Sequence, residues 1–389
     1  MDLLYSEQHK AFRQEIRDFI AENLPDEMRQ RLRAGGFASK ADTELWQRRL
    51  NARGWGAPAW PKAFGGAGWD AAEQQIFADE CACAPAPPPH IFNITMLGPV
   101  LVHFGSDAQR KYFLPRLLNA DIQVCQGFSE PGSGSDLASL KTRAERTPDG
   151  YLVNGQKIWT SQAHYSDWIF CLVRTDFQAQ KHTGISFLLF DMETPGVSTR
   201  PIVLISGKSP FCETFFDDVK VPCHQLVGEP NRGWEIAKYL LTHEREMISA
   251  IGSRGFREPM GRHAAKVIGV DAQRRLDDPM LRAQIAQFEI DEAAFAAAGE
   301  RARDLAKQGE GMAAFSSVLK YYGAELNKRR YELLMSVGGT DALEWEGERS
   351  QDGALARGWL RTKANSIEGG TSEVQLNIVA KRLLGLPGA

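Results

Sequence analysis

Apolar positions in the first third of the chain recur at helical spacing. Segments 7–20 and 43–51 carry them three and four residues apart, which predicts amphipathic helices. A turn-rich stretch, Trp60-Pro61-Lys62-Ala63-Phe64-Gly65-Gly66-Ala67-Gly68, interrupts them. Pro85-Ala86-Pro87-Pro88-Pro89 predicts a rigid connector. From about residue 121 the period changes. The run Tyr151-Leu152-Val153-Asn154-Gly155-Gln156-Lys157-Ile158-Trp159 sets two short apolar stretches around Asn-Gly, which predicts a tight hairpin. Segments 168–174, 185–190, 197–201 and 215–221 predict further short strands, punctuated by glycine and proline. From about residue 230 the pattern is helical again and alanine-rich, at 233–254, 279–307, 312–337 and 372–384. The last segment runs into Gly385-Leu386-Pro387, a helix stop. The expected fold class is α+β and multidomain. It comprises an N-terminal all-α domain (1–120), a middle β domain of barrel or sandwich type (121–228) and a C-terminal helical bundle of the four-helix kind (229–389).

Composition removes several function classes. The 46 Lys plus Arg against 49 Asp plus Glu leave a formal charge of −3, with no basic footprint for nucleic acid. Apolar residues make up 43%, too many for a disordered chain. No apolar run approaches the roughly 18–20 residues of a membrane span. The start, Met1-Asp2-Leu3-Leu4-Tyr5-Ser6-Glu7, lacks the basic and apolar regions of a signal peptide. Six cysteines in this length fit a reducing compartment, so a cytoplasmic location is expected. Cys81-x-Cys83 is too closely spaced for a zinc pair, and no metal site is expected.

Three segments carry candidate chemistry. In Gln126-Gly127-Phe128-Ser129-Glu130-Pro131-Gly132-Ser133-Gly134-Ser135-Asp136, three serines and three glycines can present hydroxyls and bare N–H groups to an anion or a planar ligand edge. Trp159-Thr160-Ser161 follows, with an indole that can stack and two hydroxyls beside it. In the segment after the β domain, Ile236, Leu240, Glu244, Ile248 and Ile251 share one helical face. A carboxylate in an apolar stripe is costly to bury unless it is paired or functional, so Glu244 is a base, half of a buried ion pair, or part of a stripe less buried than its spacing suggests.

Together these segments resemble the acyl-CoA dehydrogenase family. The Phe-Ser-Glu-Pro-Gly-Ser-Gly-Ser-Asp loop, the Asn-Gly-Gln-Lys-Ile-Trp-Thr-Ser run, Trp60-Pro-x-x-Phe-Gly-Gly and the closing Glu368-Gly-Gly-Thr-Ser-Glu-Val-Gln375 occur in the family's order and spacing. The resemblance runs from end to end and implies the same helical, β, helical order. It also implies FAD as cofactor, an acyl thioester of coenzyme A as substrate and an electron-transfer flavoprotein as acceptor. A base would take the proton next to the thioester carbonyl while a hydride leaves the neighbouring carbon for flavin N5.

Two glutamates compete for the base. In the straight-chain branch it lies in a Tyr-Glu-Gly-Thr sequence near the C-terminus; aligning Gly370-Thr371 to that Gly-Thr puts Gly369 at its position, one residue past Glu368. Another branch, like the isovaleryl-CoA enzymes, takes its base from a Glu-Arg pair on the helix after the β domain, which Leu241-Thr242-His243-Glu244-Arg245 matches. Glu244 is the expected base and Glu368 the rival. By the same resemblance, Phe128, Ser129, Gly134 and Ser135 line the flavin and thioester, Trp159, Thr160 and Ser161 face the isoalloxazine, and Ser161 is the partner of N5. Arg245, with Ser135, Glu368 and Gly369, meets the substrate. Gly338 and Gly339 meet the adenosine diphosphate part of a neighbouring subunit's flavin, and Thr371 and Glu373 open the last helix toward the pyrophosphate. The family usually has Gln where Glu373 stands.

Two departures weaken the inter-subunit half of this site. The family's Arg-Lys-x-Phe-Gly segment is replaced near Ala265-Lys266-Val267-Ile268-Gly269-Val270-Asp271, and Met335 stands where Gln is common. The expected assembly is a homodimer, a homotetramer, or a heterotetramer with a related subunit. The alternatives to a dehydrogenase are an acyl-CoA oxidase on the same fold and a non-catalytic or half-site subunit.

Overall fold

The first helix, α1 (Glu7–Asn23), starts at Ser6, whose hydroxyl accepts the His9 N–H at 3.2 Å. The structure is a computed structural model and describes residues 6–33, 38–249, 258–307 and 312–387; the side chains of 243–249, 303–304, 306–307 and 312–314 lie outside the description. It forms two compact units, Tyr5–Leu204 with Lys208–His243, and Glu244–Ala389 with Ile205–Gly207.

In the first unit, α1 is followed by α2 (Asp26–Arg33), α3 (Lys40–Ala52), α4 (Ala71–Cys83), α5 (Gly98–Phe104) and α6 (Asp107–Leu118). Capping boxes at Ser39, Asp70 and Ser106 start three of them. Ile16, Ile20, Met28, Trp46, Leu50 and Phe77 form a core shared by α1 to α4. The buried Glu80 carboxylate lies between Arg13 Nη1 at 3.1 Å and Arg17 Nε at 2.8 Å.

The Trp-Pro-x-x-Phe-Gly-Gly motif has a local explanation. Before α5 the chain winds as a π-helix, Ile91–Leu97. Trp60 Nε1 donates to the Ile94 carbonyl at 2.8 Å. The indole lies so close to the helix that a Cβ on Gly98 would sit 1.7 Å from Trp60 Cζ2. Gly66 fits against the Trp60 backbone, where a Cβ would meet its carbonyl oxygen at 2.1 Å.

The middle of the chain is one mixed sheet of β1 (Val124–Gly127), β2 (Arg143–Arg146), β3 (Gly150–Ser161), β4 (Trp168–Arg174), β5 (Ile185–Asp191), β6 (Val197–Ile202), β7 (Phe211–Pro222) and β8 (Leu226–Val227). The order is β6-β7-β3-β2-β4-β5-β8, with β1 parallel to β4. One buried cluster joins Ala144, Val153, Cys171, Leu188, Phe216 and Val219, from β2 to β7, so the strands curl around a common core. The predicted hairpin at Asn154-Gly155 is absent. β3 runs straight through both residues as one strand paired with β7, with a register shift between Val153 and Gly155. The Asn154 side chain exchanges hydrogen bonds of 2.9 Å with Asp218 across the ladder. Gly155 stands at φ +149° where a Cβ would meet Thr142 Cα at 2.8 Å. The extra residue lies in β7, where Asp217 and Asp218 together oppose Asn154 and Asp218 takes φ +50°, so the Asn-Gly pair faces a bulge in its partner strand.

Helix α7 (Gly233–Ser249) leaves the sheet, and its Ile236, Ala237 and Leu240 are buried as its spacing predicts. Residues 250–254 of the predicted helix lie outside the described residues. The second unit holds α8 (Met260–Val267), α9 (Pro279–Lys307), α10 (Met312–Gly338), α11 (Ala354–Thr362) and α12 (Ser372–Ile378), the last continued by a π-helical turn, Val379–Leu383. Leu281, Ile285, Phe288, Leu319, Leu326 and Leu333 belong to its core.

Candidate functional site

The candidate residues fall into two groups, one in each unit. The first lies on the sheet. After β1 the chain makes a four-residue turn closed by reciprocal backbone bonds between Glu130 and Ser133, at 3.1 and 3.0 Å. Ser133 is buried, and its hydroxyl donates to the Asp136 carbonyl at 2.9 Å. Gly134, Ser135 and Asp136 remain exposed. A Cβ on Gly132 or Gly134 would meet nothing within 4 Å, so packing does not demand these glycines; they leave the backbone bare. Asp136 pairs with Lys181, whose hydrogen bond and charge hold the carboxyl below its ordinary value. The Phe128 ring packs edge-on against Phe170 and Phe187 at 6.0 and 6.3 Å, so only its backbone is left for a ligand.

Beside this loop, the Ile158 N–H donates to the Ser129 carbonyl at 2.9 Å, which brings Ser129 to the Trp159 strand. Lys157 pairs with Thr214 and Thr160 with Cys212, so Ile158 and Trp159 together oppose one residue of β7. Trp159 takes up this second bulge at φ +60°, a left-handed conformation that costs a bulky residue about 1–2 kcal/mol. The bulge turns its indole outward, 52% exposed, with only the Phe211 edge 6.1 Å away among its ring contacts in the described residues. Thr160 points the other way. It is wholly buried, and its hydroxyl finds no hydrogen-bond partner among the described residues. Ser161 is half-buried. An exposed flat indole on strained backbone, next to a bare glycine-serine loop, fits a planar aromatic cofactor with polar edges.

The second group surrounds the loop before α12. Glu368 accepts both Arg361 nitrogens, Nη1 at 3.2 Å and Nη2 at 2.8 Å, and Asn365 Nδ2 at 2.8 Å. Asn365 is held in turn by Asn327 Nδ2 at 2.9 Å. Lys320 is wholly buried and donates to the Asn365 carbonyl at 3.1 Å and the Gly370 carbonyl at 2.6 Å. Burial holds its ammonium below its ordinary value, against the nearby Glu368, Glu325 and Glu373 charges. Gln375 Nε2 donates to the Gly369 carbonyl at 3.0 Å. Gly369 and Gly370 adopt φ +63° and +89°. Thr371 caps α12 by accepting the Val374 N–H at 3.3 Å. Glu373 bonds its own N–H and Thr371, which hold its carboxyl below the ordinary value. That carboxylate already serves the helix start proposed for a pyrophosphate.

Gly338 and Gly339 lie elsewhere in this unit. They end α10, 18 residues beyond Lys320, or roughly 27 Å along the axis at 1.5 Å per residue. Gly339 is in the left-handed region and its N–H bonds the Met335 carbonyl at 3.0 Å, so the pair also terminates the helix. Glu244 and Arg245 fall on the last turns of α7, and their side chains lie outside the described residues. Among the described residues no cluster of His, Cys, Asp and Glu could hold a metal ion, and no helix is long and apolar enough to cross a membrane.

Sequence reasoning missed Glu130, Lys157, Lys320, Arg361 and Asn365. Two of them carry a visible signal. Lys157 shares strand parity with the buried Tyr151 and Val153. Lys320 shares a helical face with the buried Ser317, Ala324 and Asn327.

Helices, a mixed sheet and helices, with an outward indole beside a glycine-serine loop, have the layout of a three-domain flavoprotein. Models of the acyl-CoA dehydrogenase N-terminal, middle and C-terminal domains match residues 6–121, 125–219 and 231–384. The acyl-CoA dehydrogenase IpdE1 of Mycobacterium tuberculosis is 36% identical over 97% of this chain and 98% of its own length. The acyl-CoA dehydrogenase FadE26 of the same organism is 33% identical over all of both chains. Among solved structures, the Tcur3481-Tcur3483 steroid ACAD has a TM-score of 0.85 at 31% identity, and the ChsE4-ChsE5 complex of Mycobacterium tuberculosis 0.82 at 32%, each over all of both chains. The chain belongs to the acyl-CoA dehydrogenase family, whose members are FAD-dependent enzymes of lipid catabolism.

Proposed function

We propose that the protein oxidises an acyl-CoA thioester to the trans-2-enoyl-CoA, with FAD as its cofactor and an electron-transfer flavoprotein as acceptor. The observation that carries this reading is the outward Trp159 indole at a strained bulge beside the Ser129–Asp136 loop, in a chain of this family. Trp159 stacks on the isoalloxazine, Ser161 bonds its N5, and the backbones of Phe128, Ser129, Gly134 and Ser135 meet its polar edge and the thioester. Bound FAD supplies the two-electron acceptor for the hydride leaving the β-carbon. Glu244 takes the α-proton. Helical spacing puts it on the face of α7 that carries Ile236 and Leu240, and the step requires a positioned carboxylate as general base.

Glu368 suits that task less well. Three hydrogen bonds from Arg361 and Asn365 occupy both its oxygens. With both oxygens so engaged, the carboxylate is held within the loop's own network. Its role is to anchor the Gly369–Thr371 loop. Arg245 reaches the CoA moiety, and Gly338, Gly339, Thr371 and Glu373 serve the adenosine diphosphate part of a flavin, the two glycines that of a neighbouring subunit. The domain limits are 1–120, 121–228 and 229–389.

A second reading makes the chain one half of a heteromer. One neighbour above 30% identity is described as the ChsE4-ChsE5 complex, and another carries the paired name Tcur3481-Tcur3483. In this chain Lys266, in the replaced arginine segment, bonds Glu258. The test is the absorption spectrum of the purified chain, followed by anaerobic addition of straight, branched and ring-bearing acyl-CoA thioesters. About one flavin per chain, bleached by some thioester, supports a self-sufficient dehydrogenase. A colourless chain that gains flavin only with a co-expressed relative supports the heteromer. Flavin that no thioester bleaches, alone or in the heteromer, counts against dehydrogenation.

A further inference from the structure

Two buried charges on the sheet have no part in the mechanism above. Lys157 is wholly buried and Glu130 is 8% exposed. Lys157 Nζ donates to Glu130 Oε1 at 2.8 Å and to the Phe128 carbonyl at 3.1 Å. The Glu130 carboxylate also accepts the Thr142 N–H at 2.8 Å and the Lys141 N–H at 2.6 Å. The pair joins three pieces of backbone: the loop after β1, the residues just before β2 and the strand leading into the Trp159 bulge.

Stability alone does not explain the arrangement. An apolar pair of similar volume usually stabilises a core as well as a buried ion pair, because both charges must be stripped of water. What charges supply is direction. Lys157 Nζ fixes two acceptors on the loop, and the neighbouring Ile158 N–H fixes a third, the Ser129 carbonyl. An apolar contact tolerates sliding by a fraction of an ångström; these bonds do not.

We propose that Glu130 and Lys157 are a positioning pair. They hold the Phe128–Asp136 loop in register with the Trp159 bulge, so that the indole and the loop backbone present one preformed surface to the flavin. Neither side chain touches the cofactor. The proposal rests on the assignment of FAD to this face of the sheet.

The test compares wild type with the apolar double variant Glu130→Leu/Lys157→Met and with Glu130→Gln. Each is stripped of flavin, melted, and titrated with FAD by fluorescence quenching; the visible circular dichroism of the bound flavin is then recorded. The double variant is expected to melt within a few degrees of wild type while its Kd for FAD rises roughly 10- to 100-fold, the size of effect that displacement of a binding group by about 1 Å produces. Its flavin dichroism should also change. Glu130→Gln keeps an oxygen for Lys157 but loses the carboxylate's second acceptor, and should show a smaller rise in Kd. It decides the matter if the double variant does not fold. Unchanged Kd and dichroism in a folded variant overturn the proposal alone. Wild-type protein that takes up no FAD overturns the assignment of the flavin site, and this proposal with it.

Discussion

Gly98 gives the sharpest stability prediction, because two effects of opposite sign meet there. It is the first residue of α5, in right-handed helical conformation at φ −55°, so alanine should favour the helix by about 1 kcal/mol. Space says the reverse. The added Cβ would lie 1.7 Å from Trp60 Cζ2 and 2.5 Å from its Cε2 and Cη2. Carbon atoms rest about 3.5–4 Å apart, so the ring must retreat by roughly 2 Å. Trp60 is 2% exposed, and its N–H is bonded to the Ile94 carbonyl. Overpacking costs about 1–3 kcal/mol, and stranding a buried donor and carbonyl about 1–3 more. Sterics therefore outweigh propensity, and Gly98→Ala should lose about 3 kcal/mol net, near the middle of that range. At about 2–4 °C per kcal/mol the transition should fall by roughly 6–12 °C. The assay is thermal and urea unfolding followed by circular dichroism. A Trp60→Leu background supplies the control: with the ring gone, Gly98→Ala should become neutral or stabilising. A Gly98→Ala protein as stable as wild type, or equal losses in both backgrounds, would refute the packing argument.

Removing Arg361 should leave the half-buried Glu368 carboxylate with Asn365 alone. Arg361→Met is expected to cost about 1–2 kcal/mol in urea unfolding, part of it recovered by adding Glu368→Gln. Trp159→Gly should leave the flavin-free protein within about 1 kcal/mol of wild type, because relief of the left-handed strain offsets the entropy of an added glycine. The same change should weaken FAD binding by about tenfold or more, through loss of the stacking plate, as read by fluorescence titration. Stability should also fall in acid. Burial works against the charged form of Glu130, but the Lys157 charge and the hydrogen bonds from Lys157, Thr142 and Lys141 prevail and hold its carboxyl below the ordinary value. A depressed carboxyl stabilises the fold above the ordinary value of about 4.3 and loses that contribution as pH falls through its folded value. Melting temperatures from pH 7 to pH 3 should therefore drop more steeply for wild type than for the Glu130→Leu/Lys157→Met protein.

Helix α9 was fully legible in the sequence, from Pro279 at its first position to its last turn at Lys307, because local spacing and a local start signal decide it. The Asn154-Gly155 pair shows where local information ends. Asn-Gly suits a hairpin, but the outcome falls to Asp218, a partner 64 positions away whose own strand carries the bulge. The Trp159 bulge was hidden for the same reason: strand alternation says which face a residue takes only while the register holds. The motifs marked the site loop and its strand but not what joins them. Strand parity marks Lys157 as inward-facing, but its partner Glu130, 27 residues earlier and 2.8 Å away, is set only by the fold. Glu368 was legible as a candidate, but its clamp was not, since Arg361 lies seven residues earlier and meets it only because the chain turns after α11.

The most direct test of the account is the rate at which an acyl-CoA thioester bleaches bound flavin under anaerobic conditions, in wild type, Glu244→Gln and Glu368→Gln. The thioester is the one that bleaches wild type fastest. Glu244→Gln should retain flavin and slow bleaching by about 10²–10⁴-fold, the contribution of a positioned general base. Glu368→Gln should stay within a few-fold of wild type. Full-rate bleaching by Glu244→Gln, or its loss in Glu368→Gln with flavin still bound, would contradict the assignment of the base.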